Sequence, residues 1–388
     1  MNYKEKIILI ANNLFGSFLN SLYFIYPSYF NFPSSIYFSL VAISYISSLI
    51  SSVFFGNLKI NEKNYLTISM IGVIGPFLSI FFLLIPNPIL FILSYFLFNF
   101  TYYSTYFSFL LYYKDVQLNF YFNIYWTFGS IILQFSSLIL SIFYNLYLVA
   151  ILFLISIIII LSRNIYLFLF TEKYEINLLE KIDKLFSIAE GNIEKFGSLH
   201  PFYEGLIFPI NIKKIKIGFL ELYNLFVLIG FSLIWSSLVY SVNLFSLSFI
   251  YPSLLFINGI YSSILYRIYK RSISFKNIKI GIISRLLMGI VLFIIMILLL
   301  SNKTISAIIL TLLFILAAFS WTMFQYFFDN YIINYYPQKF GNIYFFRNIG
   351  GAIGSLLLYI ISLQYGLIIS FLILSISIFF LNYTLKVK

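Results

Sequence analysis

Residues 66–86 read LTISMIGVIGPFLSIFFLLIP, without one Asn, Gln, His, Trp or charged side chain. A membrane-crossing helix needs about 20 mostly apolar residues, so this stretch predicts a span, and a span apolar all round can face lipid. The cores 147–162, 286–300 and 366–381 share the property. Working outward from these four, the chain divides into twelve apolar runs, at 7–28, 36–56, 66–86, 88–112, 120–143, 147–169, 218–241, 247–268, 281–300, 304–328, 344–363 and 366–385. The stripped runs are the third, sixth, ninth and twelfth. Amides and Trp gather instead in the first, fourth, fifth, seventh, eighth and tenth. A polar side chain inside a membrane needs a partner or a wet cavity. The pattern therefore predicts an inner and an outer set of helices, with a polar path through the middle.

Composition agrees. Hydrophobic residues make up 62% and charged residues 9% of the 388, with mean hydropathy +0.99, whereas a soluble domain carries about 25% charged residues. An all-α membrane protein follows. There is no Cys and one His, His200, which excludes a disulfide framework and a Cys-based metal or redox site; no cofactor is expected. The abundance of Ile, Phe, Tyr, Asn and Lys resembles the codon bias of an AT-rich genome. The 34 Tyr and 48 Phe are therefore poor evidence of an aromatic substrate.

The net charge of +12 is not a nucleic-acid footprint, because its placement is topological. Basic residues fall in alternate loops: Lys4 and Lys6, Lys59 and Lys63, Lys114, Arg163 through Lys216, Arg267 through Arg285, Lys339 and Arg347, Lys386 and Lys388. Of the 24 Lys and Arg, only Lys303 lies in an intervening loop. By the positive-inside rule the charged side is cytoplasmic, as are both termini. The cell membrane is the expected location. The first run is too long for a signal-peptide core and lacks an A-x-A site, so it is expected to be retained.

The longest polar interruption, 171–217, separates six runs (1–170) from six (218–388). Within it Leu179, Ile182, Phe186 and Ala189 share one helical face, and the segment Glu175 to Lys195 reads as an amphipathic helix on the cytoplasmic surface. The halves resemble one another. Ser51-Ser52-Val53 can be laid on Ser262-Ser263-Ile264, Gly16 on Gly230, and Asp115 on Asp329, the last two pairs 214 apart. Two duplicated halves about an axis normal to the membrane place a shared binding site near the midplane.

On these features the whole chain resembles the major facilitator superfamily. The likeness rests on the six-plus-six topology, the cytoplasmic central segment, the polarity period of three and the small-residue run Arg347-Asn348-Ile349-Gly350-Gly351-Ala352-Ile353-Gly354. It implies that helices 1, 4, 7 and 10 line a cavity while 3, 6, 9 and 12 face lipid. The family's signature after helix 2 is kept in part: Gly56-Asn57-Leu58-Lys59-Ile60-Asn61-Glu62-Lys63 has the first Gly and the basic residues, without the Asp and second Gly. The Gly-Pro motif of antiporter helix 5 is absent, so no subfamily is identified.

Candidate cavity residues are Asn20, Asn99, Tyr102, Tyr103, Trp126, Gln134, Trp235, Asn258, Trp321 and Gln325. Asn12, Asn13 and Asn224 lie in the same helices. An amide donates and accepts, so a ring of them can hold a neutral polyol or amide-like solute; Trp adds a flat apolar face and one donor. Each Asn could instead bond a neighbouring helix, worth about 0.6 kcal/mol. Outside 171–217 the acids are Glu5, Glu62, Asp115, Glu221 and Asp329, none near a midplane; Glu221, one turn inside helix 7, is a candidate for proton coupling from the cytoplasmic end. No basic residue is placed centrally, which argues for an uncharged solute and against a phosphate ester. Asp115 and Asp329 end helices 4 and 10 at equivalent points. With Arg347, Lys59, Lys63, Arg267, Lys270 and Arg271 they could form a cytoplasmic latch, or could simply anchor helix ends.

These readings favour a monomeric secondary transporter of a small, uncharged solute working by alternating access, not an enzyme. A lipid-linked saccharide flippase of another twelve-helix fold stays open, though it would want a basic cavity. A membrane-embedded transferase would need clustered carboxylates. No Walker-type Gly-Lys-Ser/Thr loop is present for a pump.

Overall fold

The computed structural model describes residues 19, 23, 24, 26–28, 30–56, 65–83, 85–113, 217–251, 253, 254, 257, 258, 261, 265, 275–298, 302–335 and 339–384. The fifth and sixth predicted spans and all but the last residue of the 171–217 segment lie outside them. Among the described residues every regular element is helical. The long helices are α1 (Ile36–Gly56), α2 (Tyr65–Leu83), α3 (Pro88–Tyr113), α4 (Phe219–Leu244), α5 (Phe275–Leu298), α6 (Lys303–Tyr335), α7 (Phe340–Leu357) and α8 (Leu363–Thr384). They fall in the second, third, fourth, seventh, ninth, tenth, eleventh and twelfth predicted spans. Hydrocarbon offers the backbone no hydrogen-bonding partner, so a spanning segment must satisfy itself as a helix. Five of these helices, α1, α4, α5, α6 and α8, carry stretches long and apolar enough to cross a membrane.

Two helix starts differ from the sequence reading. α5 begins at Phe275, not 281, and α7 at Phe340, not 344. In both cases a few polar or basic residues precede the apolar core without ending the helix. A lysine at a helix end can extend its charge toward the interface while its stem stays apolar.

Repeated local devices mark the two halves. Among the described residues Asn31 and Ser246 are the non-glycine residues with positive φ, at 50° and 55°, and they stand 215 positions apart in the turns after the first and seventh spans. Asn87 caps α3 by accepting from the Ile89 and Leu90 amides at 2.8 and 3.3 Å. Asn302, again 215 positions on, caps α6 by accepting from Thr304 and Ile305 at 3.0 and 3.2 Å. Such caps satisfy amides that the first helical turn leaves open.

Burial differs most between α4 and α8, while α1, α5 and α6 lie between them at 50–56%. The apolar stretch of α4 is 78% buried inside the protein, that of α8 only 28%. α8 buries one stripe, Leu367, Ser370, Leu374, Ser377 and Leu381, against α4 and α5, as an outermost helix should. α5 is two-faced. Ile283, Leu287, Ile290, Ile294 and Ile297 are exposed, whereas Gly281, Arg285, Met288, Gly289 and Leu292 are buried.

α7 joins the halves. Along α4 it packs backbone to backbone: a Cβ on Gly350 would lie 2.4 Å from the Leu225 carbonyl oxygen, and one on Gly354 2.5 Å from that of Ile229. Ser232 donates to the Gly351 carbonyl at 2.6 Å, and Ser236 to Ser355 Oγ at 3.0 Å. This is the face of the small-residue run in the sequence. Against α1 of the first half, α7 runs antiparallel. Tyr359 donates to the Ser35 carbonyl at 2.8 Å, the Tyr45 ring covers Gly351, and Ser48 Oγ meets the Tyr344 hydroxyl at 2.8 Å.

Candidate substrate site

The two halves meet tightly at the end that carries residues 30–40 and 240–251. Phe24 stacks on Tyr251 at 5.2 Å between ring centroids, Tyr37 on the same ring at 6.2 Å, and Phe38 on Tyr240 at 5.0 Å. The Asn243 amide donates to Ser34 Oγ, and its carbonyl accepts from Ser248 at 2.8 Å. An aromatic pair contributes about 0.5–1.5 kcal/mol beyond the area it buries, so this seal favours closure of that end by a few kcal/mol.

Beneath the seal an aromatic series follows α4 and α6. Tyr251 meets Phe314 edge-on at 5.9 Å, and Trp235 meets Phe314 at 5.5 Å. Phe231 touches Phe324 at 5.0 Å and Trp321 at 6.0 Å. Trp235 and Trp321 are half-buried while Phe231, Phe314 and Phe324 are fully buried. The tryptophans therefore keep part of their surface for something other than core packing.

Of the sequence candidates, Gln325 fits a ligand site best. It is 2% exposed, and neither its Nε2 nor its Oε1 has a hydrogen-bond partner. A buried amide left open costs about 1–3 kcal/mol. Asn99 is buried and donates to the Tyr95 carbonyl of its own helix at 2.9 Å, leaving Oδ1 open. Asn258 donates to the Phe314 carbonyl at 2.7 Å and Asn224 to the Ile343 carbonyl at 3.1 Å, so both act as links between helices. Tyr102 is buried beside Phe98. Tyr103 belongs to α3, its side chain undescribed. Asn20, Trp126 and Gln134 lie outside the described residues, as do Lys59, Lys63, Asp115, Arg267, Lys270 and Arg271; of Asp329 only the backbone, in α6, is described.

Glu221 sits in the first turn of α4, 2% exposed, with Oε2 open. The positive end of the helix dipole suits a carboxylate there. Arg347 stands in the first turn of the eleventh apolar run as read from sequence, 344–363. Because α7 starts at Phe340, Arg347 lies two turns inside it and is 1% exposed.

The main correction concerns Arg285, which sequence reading grouped with loop charges. The early start of α5 puts it near the helix midpoint, 3% exposed. Its guanidinium lies 4.6 Å from the centre of the Phe231 ring, itself midway along α4. Its Nη1 donates to the Met288 sulfur at 3.6 Å, a weak contact, and its Nε has no partner. The Tyr45 hydroxyl of the first half is near enough to act on it electrostatically. Among the described residues no carboxylate pairs with it. An arginine at a helix centre costs about 2.5–3.5 kcal/mol to insert, and a cation over a ring recovers about 0.5–2. The expectation that no basic residue is placed centrally in a span is thus corrected: Arg285 is buried near the midpoint of α5. The signal available in the sequence was the apolar run Ile280-Gly281-Ile282-Ile283 on the terminal side of Arg285, which marks the helix as already under way.

Comparison with solved structures matches this geometry over nearly the whole chain. The POT family transporter PepTSo superposes with a TM-score of 0.63 at 14% identity, covering 100% of this chain and 99% of that one. The nucleoside transporter NupG gives 0.58 at 14% identity, with 100% of both chains covered. A POT family transporter in complex with 5-aminolevulinic acid gives 0.61 at 12% identity, covering 98% and 95%. No family model matches the sequence, and no curated protein matches it. The fold is the one these transporters share, and their structures cover this chain nearly end to end.

Proposed function

We propose that the protein is a secondary carrier that moves a small solute across the cell membrane by alternating access, with both termini cytoplasmic and with halves 1–170 and 218–388 joined by the 171–217 segment. One observation carries the reading. The halves are sealed by stacked rings at one end, directly above a floor where Trp321 is half-buried and the Gln325 amide is wholly unpartnered. A core built only for stability would satisfy that amide; a carrier leaves it for the solute. Asn20, Asn99, Trp126 and Gln134 extend the same lining from the first half. Asp115 and Asp329 latch the cytoplasmic end against the basic residues of the opposite half, and Glu221 handles protons near that end. Arg285, buried near the midpoint of α5, weighs against the uncharged solute that spans without a central basic residue would favour. The chain works as a monomer on a single small-molecule substrate.

The absence of Cys makes the test direct. Single cysteines at Ser34 (seal) and Trp321 (floor), in otherwise unchanged protein in vesicles, are labelled with a membrane-impermeant maleimide from either side. Alternating access predicts that Trp321→Cys, at a partly exposed position, reacts from the cytoplasmic side while Ser34→Cys is protected. A solute that shifts the equilibrium must move the two reactivities in opposite directions. A floor cysteine open from both sides at once would mean a channel, and the carrier reading would fall.

A further inference from the structure

We infer that Arg285 anchors the transported solute, and that the solute is a small organic anion: one carboxylate joined to a flat apolar body. The inference rests on the carrier reading and names the substrate class for the same site. It starts from an imbalance. Arg285 is deeply buried, stays protonated as arginines in proteins do, and among the described residues meets a ring, a sulfur and an open Nε rather than an acid. Buried charges are normally paired. One that is not calls for an anion from outside the chain.

The geometry supplies a second donor and a platform. α5 and α6 form an antiparallel pair, with Gly281 pressed on the Ser320 carbonyl and the Phe324 amide. Helical side chains lean toward the N-terminus of their helix. Arg285, one turn past Gly281, therefore leans back to the level of Ser320–Phe324, while Gln325 leans along α6 toward Trp321. The guanidinium lies over Phe231, which itself contacts Trp321 and Phe324. Cation, unpartnered amide and half-buried indole thus share one depth. The chain has three Trp, and two of them, Trp321 at this floor and Trp235 between it and the seal, belong to the aromatic series. An AT-rich codon bias inflates Phe and Tyr but works against Trp, whose codon is G-rich, so these two are informative where the other rings are not.

The charge count selects among anions. A guanidinium matches a carboxylate with two parallel hydrogen bonds and one opposite charge. A phosphate monoester would bring nearly two negative charges to one cation. Glu221, the described acid of this half with an open oxygen, lies at the end of α4 rather than at this depth. The site should therefore prefer a monocarboxylate.

The test uses the full chain in detergent, with benzoate, phenylacetate and indole-3-acetate each set against its primary amide at neutral pH. At least one carboxylate should raise the melting midpoint of the wild type, and its amide should not. Arg285→Gln keeps size and hydrogen bonding but removes the charge; it should weaken carboxylate binding by about 10- to 100-fold. Arg285→Lys keeps the charge without the fork and should fall between, a graded response that guards against misfolding of either variant. The inference fails if acid and amide stabilise equally, if no carboxylate stabilises the wild type, or if Arg285→Gln binds carboxylates undiminished. Labelling of the seal and floor cysteines in the Arg285→Gln background keeps the two readings apart. Labelling that still alternates alongside an undiminished carboxylate response overturns the anion anchor and leaves the carrier standing. Labelling that never alternates removes the carrier, whatever the carboxylates do.

Discussion

Arg285 and Glu221 are both buried charges with an open polar atom, yet their removal should be felt differently. For Arg285 the fold already bears the insertion cost, so Arg285→Gln should melt in the absence of any solute no lower than the wild type; scanning calorimetry checks this. A drop of several degrees would mean that the guanidinium holds helices together. Glu221→Gln should leave solute exchange intact and abolish proton-driven accumulation, measured in vesicles under an imposed pH gradient. Accumulation unchanged in that variant removes Glu221 from coupling. At this scale the sequence was informative about identity and poor about depth. Gln325 and Trp321 were legible because amides and Trp are rare in apolar spans. Arg285 was not, because a hydropathy window ends a span at the first cation, whereas a long side chain can lie over a ring and let the helix continue.

Among elements, the α4–α7 pair is the firmest contact for which a reason can be given. Gly350→Val would drive a branched side chain into the Leu225 carbonyl, 2.4 Å from the Cβ position, and backbone cannot step aside as a side chain can. Overpacking of this kind costs about 1–3 kcal/mol, so Gly350→Val should lower the melting midpoint clearly. Gly366→Ala is the control: its nearest neighbour is a methyl of Leu358 at 2.5 Å, the end of a flexible chain, and a small shift should suffice. The glycine run was legible because small residues four apart make a flat helical face. The serines opposite were not. Ser232, Ser236 and Ser355 bond across helices, while Ser237 and Ser241 bond back to their own helix at 2.7 and 2.6 Å, and nothing in the residue type separates the two uses.

For the whole molecule, what matters is the balance between its two ends. Tyr251 joins Phe24, Tyr37 and Phe314. Tyr251→Leu should weaken the seal by about 1–2 kcal/mol, roughly a tenfold shift toward the opposite-facing state, read as new labelling of Ser34→Cys. Asp115→Asn with Asp329→Asn should move the population the other way, several-fold toward the inward-open state, since a screened pair is worth about 1 kcal/mol. Equal labelling of the floor cysteine with and without those two changes would reduce both carboxylates to helix-end anchors. The all-helical fold was the most legible part of the chain. Hydropathy acts over whole spans, where single misplacements average out.

A fixed positive charge midway along α5 also gives the proposed cycle an electrical character. On that proposal an empty carrier that turns from one side to the other carries Arg285 through part of the membrane field, and a full unit charge crossing 100 mV involves ~2.3 kcal/mol. With a carboxylate bound, the pair is neutral and the same rotation moves almost no charge. Voltage should then act on the return of the empty carrier rather than on the loaded stroke, so that membrane potential sets how often the cycle turns without setting how well the solute is held.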